Sequence, residues 1–148
     1  DDQLDVMPRG VDTEFFHPSH RDPDYWTRRG LPPGFRFVYV GRVSSEKNLD
    51  VLFDAMELLH REETDATLAV VGHGPDYESY RRKHGKRRRV IFTGCLRGEE
   101  LAQAYASADA LVFPSLTDTF GNVVLEAHAS GLPAVVSNRG GPQEIRFR

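Results

Sequence analysis

The segment Ser115-Leu-Thr-Asp-Thr-Phe-Gly-Asn-Val-Val-Leu-Glu126 sets two carboxylates, Asp118 and Glu126, eight positions apart on either side of a Phe120-Gly-Asn122 turn. It follows the apolar run Ala110-Leu-Val-Phe113 and Pro114. That order predicts a buried strand, a loop holding the first acid, and a helix that holds the second and offers free backbone N–H groups in its first turn. Such a site suits a polyhydroxylated anion, because carboxylates accept hydrogen bonds from vicinal hydroxyls while N–H groups and nearby cations take up phosphate charge. A second constellation supplies the cations. Gly41-Arg-Val-Ser-Ser-Glu-Lys47 places Arg42 and Lys47 five positions apart across a turn at a strand end. Arg through its planar fork and Lys as a compact charge fit a diphosphate, although the pair alone is equally the mark of a solvated loop.

The elements that must carry these residues are legible from five short apolar runs: Phe37-Val-Tyr-Val40, Leu68-Ala-Val-Val71, Val90-Ile-Phe92, Ala110-Leu-Val-Phe113 and Ala134-Val-Val136. Continuous apolar runs of this length suit strands buried on both faces, as in a parallel sheet. Helical patterns lie between them. The clearest has Leu49, Leu52, Phe53, Met56 and Leu59 on one face after the polar lead Ser44-Ser-Glu-Lys-Asn48. Others are predicted over residues 77–84, 99–107 and 123–130, the last closed by Gly131-Leu-Pro133. Alternating strands and helices imply a doubly wound α/β sheet, whose ligands sit outside the carboxyl ends of the strands. That rule selects Arg42 to Lys47, His73 and Gly74, Gly94 to Leu96, Ser115 to Asn122, and Ser137 to Gly141. Residues 1–34, broken by Pro8, Pro18, Pro23, Pro32 and Pro33, read as a linker and covering arm, with the domain proper over 35–148.

Composition narrows the function classes. A chain of 148 residues fits one domain with a sizeable core. The single cysteine, Cys95, excludes an internal disulfide framework and a Cys-rich metal site, which suits a reducing, cytoplasmic setting. No apolar stretch approaches the ~20 residues needed to cross a bilayer, and Asp1-Asp-Gln3 is unlike a secretion signal. The net charge of −3 argues against a general nucleic-acid binder. The basic run Arg81-Arg-Lys-His-Gly-Lys-Arg-Arg-Arg89 lacks interleaved aromatics and reads first as a solvated loop, second as a contact for an anionic membrane surface. Gly72-His-Gly-Pro75 is a tight turn rather than a dinucleotide fingerprint, since Tyr77 stands where the third glycine belongs. His73 reads as a polar bystander and His128 as an interior or half-buried residue. Asp22-Pro-Asp24 matches an Asp-x-Asp metal pattern but lies in the arm, away from every predicted strand end.

With these residues in view, the segment from Asp118 to Glu126 resembles the Glu-x7-Glu motif of the retaining GT-B glycosyltransferases of family 4, with Asp in place of the first Glu. Gly41-Arg-x4-Lys47-Asn48 resembles that family's other hallmark. Val6-Met-Pro-Arg-Gly-Val-Asp-Thr-Glu-Phe-Phe-His-Pro18 is similar to the segment joining the two GT-B domains, with Arg9 where Asn is usual. Val90-Ile-Phe-Thr-Gly94-Cys95-Leu96 resembles the stretch along the nucleotide base, and Gly140-Gly-Pro-Gln-Glu144 the Gly-Gly-x-x-Glu that opens a later helix. The resemblance covers nearly the whole chain, in family order.

It implies half of a GT-B fold, a Rossmann-like donor domain that stops short of its last elements and leaves a sheet edge open. It implies roles too. Arg42 and Lys47 would bind the diphosphate of a UDP- or GDP-sugar and Asp118 the sugar hydroxyls, as the catalytic set. Glu126 would take the ribose, while Gly41, Gly74, Gly94, Cys95, Leu96, Phe120, Gly121, Asn122 and Val123 would line the donor. Transfer would be retaining, with the two cations standing in for a metal and no cofactor. The acceptor would sit on a separate N-terminal domain, so this chain alone is expected to bind donor without turnover. A non-catalytic nucleotide-binding module and a GT-B nucleotide-sugar epimerase are the alternatives compatible with the same residues.

Overall fold

A computed structural model describes residues 11–87, 89–114, 121–138 and 144–147. Each apolar run becomes a strand: β1 (Arg36–Val40), β2 (Thr67–Val71), β3 (Val90–Gly94), β4 (Ala110–Phe113) and β5 (Ala134–Asn138). They are followed by β6 (Glu144–Phe147). The helices are α1 (Tyr25–Arg28), α2 (Leu49–Arg61), α3 (Tyr77–His84), α4 (Gly98–Ala106) and α5 (Gly121–Ala129). The sheet order is β3-β2-β1-β4-β5-β6. The first five strands are parallel, as the continuous apolar runs require, and β6 runs antiparallel to β5. All five residues of β2 are buried, as expected of a strand with neighbours on both sides. The order reverses between β1 and β4, so the chain forms a Rossmann-like, doubly wound sheet.

Packing explains the helix boundaries. Leu49, Leu52, Phe53 and Met56 form the buried stripe of α2. Phe53 lies flat on His84 of α3, with ring centroids 4.0 Å apart, and stacks on Tyr80 at 5.5 Å. The arm is part of the core rather than a cover laid over it. Phe16, Tyr25, Trp26 and Leu31 are all buried in the same cluster as the strands. Buried Arg36 joins arm and sheet, donating to the Pro32 carbonyl, to Thr67 Oγ1 at 3.3 Å and to Thr27 Oγ1 at 3.1 Å. Its own N–H donates to Asp109 Oδ2 at 2.8 Å.

Three expectations change. Glu144 heads strand β6 instead of opening a helix, because residues 144–147 pair in register with β5, Asn138 opposite Glu144 and Val135 opposite Phe147. This pairing covers the edge of β5 that was expected to lie open. His128 is exposed rather than interior: α5 turns Val124, Ala127 and Ser130 inward at three-residue spacing, which sends position 128 to water. Within the basic run, His84 is buried against Phe53, Arg87 pairs with Glu57 at 3.5 Å and exposed Arg81 with Glu78 at 3.1 Å, whereas Arg82, Lys83 and Lys86 face solvent. At the other side of the sheet the outer edge of β3 opens onto a cavity of about 490 Å³ flanked by Arg29 and Arg81. Charges beside an edge strand discourage pairing with another chain.

Candidate functional site

The carboxyl ends of β1, β2 and β3 are held level by hydrogen bonds that run one residue past the strands. Gly41 N donates to Val71 O at 3.0 Å and Gly72 N to Gly94 O at 2.8 Å. Gly72 has φ +140°, and a Cβ there would press into the Gly41 carbonyl, 2.9 Å from its carbon. A Cβ on Gly74 would sit 2.8 Å from Val43 N and 2.9 Å from Val43 C. The two loops interlock through this space: Val43 N donates to His73 O at 3.1 Å, Asp76 N to Val43 O at 3.1 Å and Ser45 N to Asp76 Oδ2 at 2.7 Å. Over the interlocked loops lies an open cavity of about 230 Å³ lined by Val40, Gly41, Arg42, Val71, Gly72, His73, Cys95 and Leu96.

Five of the residues selected from sequence, Gly41, Arg42, His73, Cys95 and Leu96, therefore share one concavity. Arg42 is exposed, and its carbonyl accepts from the buried Tyr39 phenol at 2.7 Å, which fixes the backbone from which the guanidinium extends. Burial pushes the Tyr39 phenol well above its ordinary range, so it stays a donor. Lys47 closes the short turn Ser45–Lys47 and is half-buried. The next residue, Asn48, has φ +62° and donates from Nδ2 to Pro114 O at 3.3 Å, tying this loop to the end of β4. Gly94 ends β3 with φ +75°. Gly74 is outside the cavity wall, its nearest neighbours being the Val43 backbone. Asp118 and Phe120 lie outside the described residues. Gly121 opens α5, Asn122 is exposed, and Val123 and Glu126 are half-buried. None of the α5 residues lines the cavity between the β1, β2 and β3 ends. Among the described residues no group of three or more His, Cys, Asp or Glu side chains could hold a metal.

His73, selected by the strand-end rule, lines the cavity with its ring stacked on Tyr77 at 4.6 Å. Sequence reasoning missed two contacts. One is at Gly72, where two loops touch backbone to backbone. Tyr105, fully buried in α4, donates from its phenol to Glu126 Oε1 at 2.8 Å. Burial raises the Glu126 carboxyl above its usual range and the Tyr105 hydrogen bond pulls it back. The Tyr105 phenol is pushed up, by burial first and then by the Glu126 charge. A Tyr in a helix 21 positions from an acid carries no local signal of such a partnership.

Comparison with known proteins bears on this arrangement. The family model described as glycosyl transferases group 1 matches residues 34–146. The sulfoquinovosyl transferase SQD2 of Arabidopsis thaliana is 41% identical over 145 residues, covering 97% of this chain and 28% of that protein. A GDP-mannose-dependent alpha-mannosyltransferase of Mycobacterium tuberculosis is 38% identical over 138 residues, covering 93% of this chain and 34% of that protein. The solved C-terminal domain of the glycosyl transferase group 1 protein LpcC from Francisella tularensis superposes with a TM-score of 0.72 at 25% identity, over 86% of this chain and 70% of that domain. The chain thus spans about a third of the length of the curated relatives it matches.

Proposed function

The chain belongs to the group 1 glycosyl transferases, and from that premise we propose that it is the donor half of a GT-B hexosyltransferase, binding a UDP- or GDP-sugar at the strand-end cavity. The observation that carries the reading is the meeting of Gly41, Arg42, Cys95 and Leu96 around one open concavity at the carboxyl ends of β1, β2 and β3, where ligands of such sheets sit. In this reading Arg42 and Lys47 neutralise the diphosphate and stabilise the charge that grows on it as the bond to the sugar breaks. Electrostatic stabilisation of this kind is worth about 3–4 kcal/mol per well-placed donor. Glu126 accepts from the ribose hydroxyls and Asp118 from the sugar. The departing diphosphate takes the acceptor's proton, so transfer proceeds with retention and without a side-chain base or a metal. The Asp in place of the first family Glu keeps charge and acceptor capacity while shortening reach by one methylene, which bears on the sugar held.

An acceptor-binding N-terminal domain is part of the same proposal, supported by the relatives' greater length. Among the described residues no helix is long and apolar enough to cross a membrane. Exposed Arg81, Arg82, Lys83 and Lys86 supply charge for peripheral contact with an anionic membrane from the cytoplasmic side, about 1 kcal/mol per residue at low salt. Salt-sensitive sedimentation with vesicles containing phosphatidylserine tests that contact. The donor reading is tested by calorimetric titration with UDP, GDP and ADP, alongside Lys47→Ala and Glu126→Ala. Binding of one nucleotide near ~1 mM, about −4 kcal/mol, that weakens in both variants is the expected result. Equal binding by wild type and variants would refute it.

A further inference from the structure

We propose that Tyr105 is the positioning residue for Glu126: its buried phenol holds one carboxylate oxygen and leaves the other to accept from a ribose hydroxyl of the nucleotide. The inference rests on the donor-site reading of Glu126 and adds a residue to it. Glu126 stands in the second turn of α5 with its side chain half-buried, and a carboxylate in such a place has several rotamers and two equivalent oxygens. The Tyr105 hydroxyl removes that freedom. It donates to Oε1 at 2.8 Å from a ring with no exposed surface, so the donor itself cannot wander.

The ring is in turn held from the arm. Phe16 meets it edge to face, with centroids 5.7 Å apart and planes at 85°. Arg21 Nη1 donates to Ala106 O at 3.2 Å and Ala108 O at 3.1 Å, clamping the end of α4 on which Tyr105 sits. A phenol has one hydrogen to give, and here it goes to the carboxylate. Glu126 is thereby kept as an acceptor, the form a sugar hydroxyl needs. Burial and the Tyr105 phenol are the two influences on the Glu126 carboxyl, and they oppose each other. Removing the phenol leaves burial alone, which favours the protonated acid.

The test uses the 148-residue chain. Carbon-13 NMR of glutamate-labelled protein follows the Glu126 carboxyl in wild type and Tyr105→Phe, with Glu126→Gln assigning the resonance. Calorimetry with UDP and GDP is run on the same proteins across about pH 4 to 8, a range that spans the ordinary carboxyl and histidine values. In Tyr105→Phe the Glu126 titration should move upward. Nucleotide binding should weaken about tenfold, the usual cost of losing a hydrogen bond to a charged group, and the loss should deepen as pH falls. Phe16→Ala separates positioning from bulk packing, since it loosens the ring but keeps the phenol: it should lower stability without moving the carboxyl titration to the Tyr105→Phe position. An unmoved Glu126 titration in Tyr105→Phe overturns the proposal. So does a moved titration with unchanged nucleotide affinity. If wild type binds neither nucleotide, or binds it equally well as Glu126→Gln, the donor-site reading itself has failed, and that is visible before Tyr105→Phe is examined.

Discussion

Gly72→Ala is the sharpest test of how the rim is built. Two costs add. Alanine at φ +140° occupies backbone space that L residues rarely visit, a strain of about 1–3 kcal/mol. Its methyl also collides with the Gly41 peptide, whose carbon lies 2.9 Å from the Cβ position. Backbone cannot swing aside as a flexible side chain can, so overpacking adds about 1–3 kcal/mol. The sum, about 2–6 kcal/mol, is a large part of the 5–15 kcal/mol typical of a domain, and for this size lowers Tm by roughly 2–4 °C per kcal/mol. Gly30 provides the control, because it has φ +110° but nothing within 4 Å of its Cβ position. Gly30→Ala should therefore show the strain alone. Urea unfolding of both variants measures the difference, and nucleotide titration asks whether displaced Gly41 and Arg42 lose the ligand. If Gly72→Ala is no less stable than Gly30→Ala, the close approach of the two loops is not what the rim depends on, and the account given for it is wrong.

Other outcomes follow from packing and charge. Trp26→Ala should lower unfolding free energy by about 3–5 kcal/mol in urea titrations, because a buried aromatic of the arm is part of the main core; a change under 1 kcal/mol would make the arm a dispensable cover. His84 has its imidazole held below its usual value by burial, then by Arg87 and Lys83. Its stabilising contribution is thus complete above the ordinary value of 6.5 and lost as pH falls through the folded one. His84→Phe, which keeps the stack on Phe53, should flatten that acid-side decline in thermal melts. For Glu126 the sign is opposite: with its carboxyl raised by burial, stability is complete below the ordinary 4.5 and falls as pH rises through the folded value. Glu126→Gln should therefore melt higher than wild type at neutral pH while binding nucleotide more weakly.

Strands β1 to β5 and helices α2 to α5 are legible because their periodicity is local: apolar runs of three or four residues, a clean stripe from Leu49 to Met56, a Gly-Leu-Pro stop after α5. The strand-end rule then names Arg42, His73, Cys95 and Leu96, since loop positions follow directly from strand ends. What periodicity cannot carry is pairing between distant segments. Residues 144–147 are too short for a pattern, and they become a strand only because the edge of β5 has hydrogen-bonding groups to match. The arm's prolines hide how Phe16 and Trp26 are used, because burial depends on which surface a segment meets.

The residue types alone thus determined the fold class, the rim and the chemistry that the rim can offer. Only tertiary structure decided that Gly72 must be glycine for the sake of Gly41 and that Tyr105 is the partner of Glu126. Both are contacts between atoms far apart along the chain, and their energies exist only once folding has brought those atoms within reach.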